Sequence, residues 1–544
     1  MTKKIALSKT IHLLGEILGN IIKEQEGLSV FNKIEKIRAL SKFSRGNRSK
    51  NIIYLSFTKL KREISKLNAK DTLIIARSFS KFLDFSNIAE SLFSIHNIHD
   101  HNIRKTQETN EIVILEEAIL DVFKNKSLSL NKFYETAKNL KIEIVLTAHP
   151  TEVKRRTLIQ KYAKVNHILH SFNNLRIFTK QNINLEKNLL QNSLHEEITS
   201  VWKTDEIKRS RPTPVEEAKW GLAVIEDTLW NAIPKICSRF NNAVKNYTNK
   251  DLPINFSPIV FGSWMGGDRD GNPNVTAKTT KEVILLSRWE AASLYEKEFT
   301  KLIQSLSLYE CSKKIKKIVG ITGEPYRVFL RPIRNKLKET QKEIEQCLRE
   351  NRIPKKSLMV QSITEIIEPL MDVYSSLCFV NCKIIANGIV LDLIRRAYAF
   401  GLNLAKIDIR QESARHFKLI NSVCKKLGMG EYGKLSEAEK ILFLTKEFKS
   451  KRPLIPQNIT LEKDDKETWS TFKMIAESSR ECLGAYVASG FLRCPCRKRN
   501  GRSPLLAQEK PPPQHLWGCL SLPVQQATGI IYLRRPEHPL FHGC

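Results

Sequence analysis

Apolar residues recur along most of this chain with the period of a helix. Between Ile11 and Glu26 they fall at Leu13, Leu14, Ile17, Leu18, Ile21 and Ile22, a stripe of period 3.6 that predicts a helix with one buried face. Pro214 to Pro234 carries Trp220, Leu222, Ala223, Ile225, Leu229 and Trp230 in a similar pattern. Pro214 suits its first turn, where a missing N–H leaves no bond unmade. Leu337 to Arg352 is charge-rich and predicts a solvated surface helix. Asn110 to Ser127 predicts another, with Asn110 placed to cap its start. No internal repeat at a fixed period is found.

Four short stretches break this pattern: Ile142–His149, Pro258–Met265, Leu404–Arg410 and Leu483–Ser489. Each has the length of a strand, is partly β-branched and runs into polar or Gly-rich residues. Long helical segments separate them, the cadence of a parallel sheet or barrel. The expected fold is therefore mostly α, around a parallel sheet or a (β/α)8 barrel. Chemistry in such barrels sits at the carboxyl ends of the strands. His149, the turn Gly266–Gly271 and Arg410 occupy those positions.

Composition narrows the class. Of 544 residues, 41% are hydrophobic and 27% charged, as in a globular protein rather than a disordered one. No unbroken apolar run approaches the roughly 18 residues of a transmembrane helix. His12 and Glu16 interrupt the first apolar stretch, so a signal peptide is not expected. The 11 cysteines are scattered without a pairing pattern and read as reduced thiols of a cytoplasmic protein. The formal net charge is +32. Such a charge suits nucleic acid, a membrane surface or small anionic substrates. The lysines are spread over many separate stretches, with no RRM, KH, zinc-finger or zipper pattern, so neither nucleic acid nor a membrane is the expected partner.

The character of the chain changes after about residue 490. Residues 491–544 hold 8 of the 21 prolines and 4 of the 11 cysteines, no Asp, and a single Asn, Asn500. They show no amphipathic period, and Pro511 to Pro513 forbids a helix there. This segment reads as a Pro- and Cys-rich tail, either disordered or translated out of its original frame. Cys494, Cys496, His515, His538 and His542 lie within it at spacings that match no zinc site. No metal ligands are assigned.

The densest chemistry lies in Val145–Arg156, VLTAHPTEVKRR. A strand ends on His149, Pro150 fixes the turn, and Lys154, Arg155 and Arg156 supply charge for a phosphate or carboxylate. This stretch resembles the catalytic-histidine signature of the phosphoenolpyruvate carboxylase family. Phe261–Thr276, FGSWMGGDRDGNPNVT, resembles that family's Gly-rich segment, and Lys406–Ser413, KIDIRQES, a third of its motifs. Leu13–Gln25, Phe85–Glu90 and Pro212–Leu222 match in order as well. The resemblance covers about residues 10–489. It divides the chain into an N-terminal helical region, 1–140, the first half of an α/β barrel with helical insertions, 141–489, and a tail outside the family, 490–544.

The resemblance implies an enzyme that joins phosphoenolpyruvate to bicarbonate and releases oxaloacetate and phosphate. It implies His149 as the base. It also implies Arg410, with Trp264, Arg269, Arg155 and Arg156, as residues that bind substrate or shape its pocket. Gly266, Gly267 and Gly271 would serve the backbone of the turn. Read from the residues alone, Arg410 instead pairs with Asp408 or Glu412, Arg269 with Asp268 or Asp270, and Trp264 packs in the core. The family's cofactor is Mg2+, with ligands expected in a C-terminal half that family members carry beyond the matched region. Its usual assembly is a homotetramer. This chain accordingly reads as truncated and inactive alone. The competing readings are an inactive fragment of a disrupted gene and a basic nucleic-acid-binding module.

Overall fold

The computed structural model describes residues 3–46, 50–103, 129–147, 156–174, 180–205, 212–269, 272–450, 452–456, 458–480 and 488–489. The helix expected over Asn110–Ser127 and the tail after residue 490 lie outside the described residues. The chain divides into two compact units, Met1–Ser127 with Lys154–Ser210, and Leu128–Val153 with Arg211–Cys544.

The first unit is built from long helices, Lys3–Glu26, Leu28–Gly46, Lys50–Ser65, Ala69–Ile103, Arg156–Asn174 and Lys180–Lys203. The stripe read from the sequence is its core: Leu14, Ile17, Leu18, Ile21 and Ile22 are buried together with Ile198, Val201 and Trp202. Each such side chain contributes about 1.5–3 kcal/mol by leaving water. Several polar side chains within this unit are bonded to one another. Trp202 Nε1 donates to Glu26 Oε1 at 3.1 Å, and Lys81 Nζ donates to the Tyr162 hydroxyl at 2.7 Å. That hydroxyl in turn donates to Asp84 Oδ2 at 2.7 Å, which offsets the burial of the lysine.

The second unit holds a small parallel sheet among helices. Its strands are β1 (Ile142–Leu146), β2 (Ile259–Ser263), β3 (Lys406–Ile409) and β4 (Ala488–Ser489), in the order β1-β2-β3-β4. All four fall inside the stretches that the β-branched pattern marks. Ile142 pairs with Ile259, Gly262 with Lys406, and Asp408 with Ala488, so the carboxyl ends align on one side. The fold is mostly helical, with this sheet among the helices. On one face of β2, Phe261 stacks on Phe400 at 5.1 Å between ring centroids, and Phe400 lies against Trp230. No described helix is long and apolar enough to cross a membrane.

Two helices depart from the sequence pattern. The segment expected to end at Pro234 continues: helix Pro214–Val224 passes through a π-helical turn at Ile225–Leu229 into helix Trp230–Thr248. Pro234 has no N–H for the carbonyl four residues earlier. That carbonyl, on Trp230, accepts instead from Arg396 Nε at 2.9 Å. The charge-rich segment Leu337–Arg352 belongs largely to helix Pro325–Glu350, which packs against helix Ala277–Ser305 rather than standing free in solvent. Leu337, Thr340, Glu343, Ile344 and Cys347 are buried on that face. Arg352 reaches back to Glu343 with both terminal nitrogens and holds its carboxyl at about 2, so the buried charge is matched.

Candidate active site

The carboxyl ends of β2 and β3 are tied into one rim by backbone bonds. Trp264 N–H donates to Leu146 C=O at 2.9 Å and locks the residue after β2 onto β1. The chain then turns back, with Gly267 and Asp268 N–H groups donating to Trp264 C=O. Beyond the turn, Arg410 N–H donates to Gly267 C=O and Arg269 N–H donates to Arg410 C=O, each at 3.0 Å. This closes a parallel bridge that brackets Asp268 against Arg410.

The two glycines of the turn are required by geometry. Gly266 sits at φ +74°, in the left-handed region, and a Cβ there would lie 2.6 Å from Val283 Cγ2. A Cβ on Gly267 would lie 2.2 Å from the carbonyl oxygen of Asp408. The turn therefore presses its backbone directly on β3.

Four side chains converge on this rim. The guanidinium of Arg410 lies 3.9 Å from the ring centroid of Trp264, a cation–π contact. Trp264 Nε1 donates to Asp408 Oδ2 at 3.2 Å, which fixes the indole plane. Arg410 Nη1 donates to Asp268 Oδ2 at 3.3 Å. Arg410 and Asp268 are mostly buried, with side chains 14% and 24% exposed. The ion pair of Arg410 thus goes to Asp268, beyond the carboxyl end of the neighbouring strand, rather than to Asp408 or Glu412.

Arg269 points the other way. Its side chain is buried, donating through Nη1 to Gly267 C=O at 3.0 Å and through Nη2 to Thr280 Oγ1 at 2.8 Å. Thr280 passes the bond on to Gly266 C=O at 2.6 Å. Burial lowers the Arg269 pKa to about 10, against the opposing effect of Glu467 and Asp268. Here Arg269 staples the turn to the start of helix Ala277–Ser305. Glu467 secures the same helix end by accepting from Ala277 N–H at 2.6 Å.

Two further groups were given no site role of their own by the sequence. Asp408 is buried, and burial pushes its carboxyl above the usual range, while the Trp264 bond and nearby Arg410 act the other way and Glu143 adds to the rise. Its Oδ1 has no hydrogen-bond partner among the described residues. His416, on helix Ser413–Lys426, lies edge-on to Phe472, with Nδ1 likewise unpartnered among the described residues. Burial, with the charge of Arg269, lowers its pKa to about 4. A signal for Asp408 was present: residues two apart on a strand share a face, so Asp408 and Arg410 point the same way.

Of the residues read from the sequence, Trp264, Arg269 and Arg410 are gathered within this rim. Arg156 begins helix Arg156–Asn174. His149, Arg155 and Gly271, and the side chain of Arg156, lie outside the described residues. A family model for phosphoenolpyruvate carboxylase matches residues 7–492.

The chain belongs to the phosphoenolpyruvate carboxylase family.

Curated proteins named phosphoenolpyruvate carboxylase agree. That of Acinetobacter baumannii is 40% identical over 492 residues, spanning 89% of this chain and 53% of the relative. Those of Hahella chejuensis and Klebsiella pneumoniae are 39% and 38% identical, with the same coverage. The chain spans about half the length of these phosphoenolpyruvate carboxylases. The rim at Trp264 and Arg410 and the β1 end leading to His149 all fall inside the matched region.

Proposed function

We propose that this chain provides the histidine- and arginine-bearing half of a phosphoenolpyruvate carboxylase site, and that β1 to β4 are the first half of a (β/α)8 barrel. The consecutive parallel order of the strands, with helices between them, supports the barrel. In this reading residues 141–489 form the half-barrel and residues 1–140 a helical region. The observation that carries the function is Arg410, held face-on to Trp264 at the carboxyl end of β3 in a chain of this family.

The reaction follows from charge. A bicarbonate oxygen attacks the phosphoryl group of phosphoenolpyruvate, and the bond from phosphorus to the enol oxygen breaks. Carboxyphosphate and the enolate of pyruvate result. Carboxyphosphate then splits into CO2 and phosphate, and the enolate carbon captures CO2 to give oxaloacetate. Arg410 binds the phosphate or carboxylate, since a guanidinium offers parallel N–H donors to either. His149 takes the carboxyl proton that triggers CO2 release, a task that suits an imidazole near neutral pH. Trp264 walls the pocket and limits water, which would otherwise hydrolyse carboxyphosphate. Arg155 and Arg156 add positive field.

A Mg2+ cofactor belongs to the same reading. Among the described residues, no group of three or more His, Cys, Asp or Glu side chains is gathered that could hold a metal. The described residues therefore do not fit this ion.

The test is a coupled oxaloacetate assay with phosphoenolpyruvate, bicarbonate and Mg2+. The 544-residue chain alone should show no turnover. Turnover should appear when a polypeptide carrying the remaining half of a relative is supplied, and Arg410→Gln should abolish it. Turnover unaffected by Arg410→Gln would contradict the role given to that residue.

A further inference from the structure

We propose that Asp268 is an internal counter-anion of Arg410, a carboxylate that occupies the guanidinium until a phosphate- or carboxylate-bearing ligand displaces it, and so sets the affinity of the site. This rests on the reading of Arg410 as the anion-binding residue. A side-chain carboxylate and a ligand's anionic oxygens seek the same N–H donors, so the two compete for them. Asp268 is held for that competition. Its neighbours Gly267 and Arg269 are bonded through their backbones to both sides of Arg410, so Asp268 cannot slide away along the strand.

The guanidinium is equally constrained. Trp264 lies under its face, and Asp408 fixes the indole through Nε1. An approaching anion therefore meets Arg410 at the edge of its plane, where Asp268 Oδ2 already stands 3.3 Å from Nη1. Arg269, the neighbouring cation, spends its terminal nitrogens on Gly267 C=O and Thr280 Oγ1 inside the turn. Arg410 is thus the contested cation. Because the pair is mostly buried, salt screens it little, and the competition persists at physiological ionic strength.

Isothermal titration of the 544-residue chain with inorganic phosphate tests this. Asp268→Asn keeps the shape and removes the charge, and phosphate should bind about fivefold more tightly. Asp268→Ser provides the same reading if the Asn variant does not fold. Glu412→Gln removes an exposed charge two residues beyond Arg410 and should change affinity by less than about twofold, because exposed charges are screened. Arg410→Gln should abolish binding. If Arg410→Gln abolishes binding while Asp268→Asn leaves affinity unchanged or weaker, the counter-anion is overturned and the Arg410 reading stands. Equal tightening by Glu412→Gln overturns it too, since the effect is then one of general field. Binding that survives Arg410→Gln, or no binding by the wild type and the Asp268 variants, overturns the Arg410 reading and the proposal with it.

Discussion

Arg410 rests on Trp264. The guanidinium carbon lies 3.9 Å from the ring centroid, and the indole beneath it is anchored by Asp408 at 3.2 Å. A cation–π contact at a mostly buried site contributes about 1–2 kcal/mol. The contact couples two strand ends that are far apart in the chain, so the position of the cation depends on a carboxylate it does not touch through a hydrogen bond.

Asp408 variants should separate that coupling from simple packing. Asp408→Asn keeps an oxygen for Trp264 Nε1, and the Trp264 emission, taken as the difference from Trp264→Phe, should be preserved. Asp408→Leu removes the acceptor and should shift that emission. The Asp408 pKa is raised by burial, so its contribution to stability is present at low pH and is lost as pH rises through the folded value. At neutral pH the Asn variant should therefore melt at or above the wild-type temperature. An unchanged emission in Asp408→Leu would remove Asp408 from this role.

Gly267→Ala should destabilise the second unit by about 1–3 kcal/mol, because the added carbon meets backbone rather than a movable side chain. The same substitution at Gly320, where a positive φ is the sole obstacle and nothing lies within 4 Å, should cost about 1 kcal/mol. Thermal melts of the two variants give the comparison. Equal losses would mean that the turn moves freely off β3.

Stability should fall as pH is lowered from about 6.5 to 4. His416 is lowered to about 4 in the fold, whereas an unfolded histidine titrates near 6.5. Between these values the unfolded chain binds more protons, so acid favours unfolding. The effect is on the order of 2 kcal/mol. His416→Phe should flatten this part of the profile. Glu343, lowered to about 2 by Arg352, accounts for a separate loss between about 4.5 and 2. A profile in which His416→Phe leaves the upper window unchanged would contradict the assignment.

What the sequence reveals here depends on the range of the interaction. The strands are legible because their β-branched runs are local and end in polar or Gly-rich residues. Arg410 and Asp408 share a face by strand alternation alone. The Trp264–Asp408 bond joins residues 144 apart, and no local pattern announces it. Pro234 misleads as a helix end because a distant arginine, Arg396, satisfies the orphaned carbonyl. Glu343 misleads as a surface charge because Arg352 makes its burial tolerable. The flanking acids of Arg269 suggest a local ion pair, whereas its terminal nitrogens donate to Gly267 C=O and to Thr280 Oγ1, 11 residues away.

The most direct test of the proposed chemistry is oxaloacetate formation by the complemented enzyme carrying His149→Asn. With 13C-bicarbonate, phosphoenolpyruvate and Mg2+, the unaltered pair should place label in oxaloacetate. The His149→Asn pair should still bind phosphoenolpyruvate in a Mg2+-dependent way, yet form no labelled oxaloacetate. Labelled oxaloacetate at a near-normal rate from His149→Asn would contradict the account.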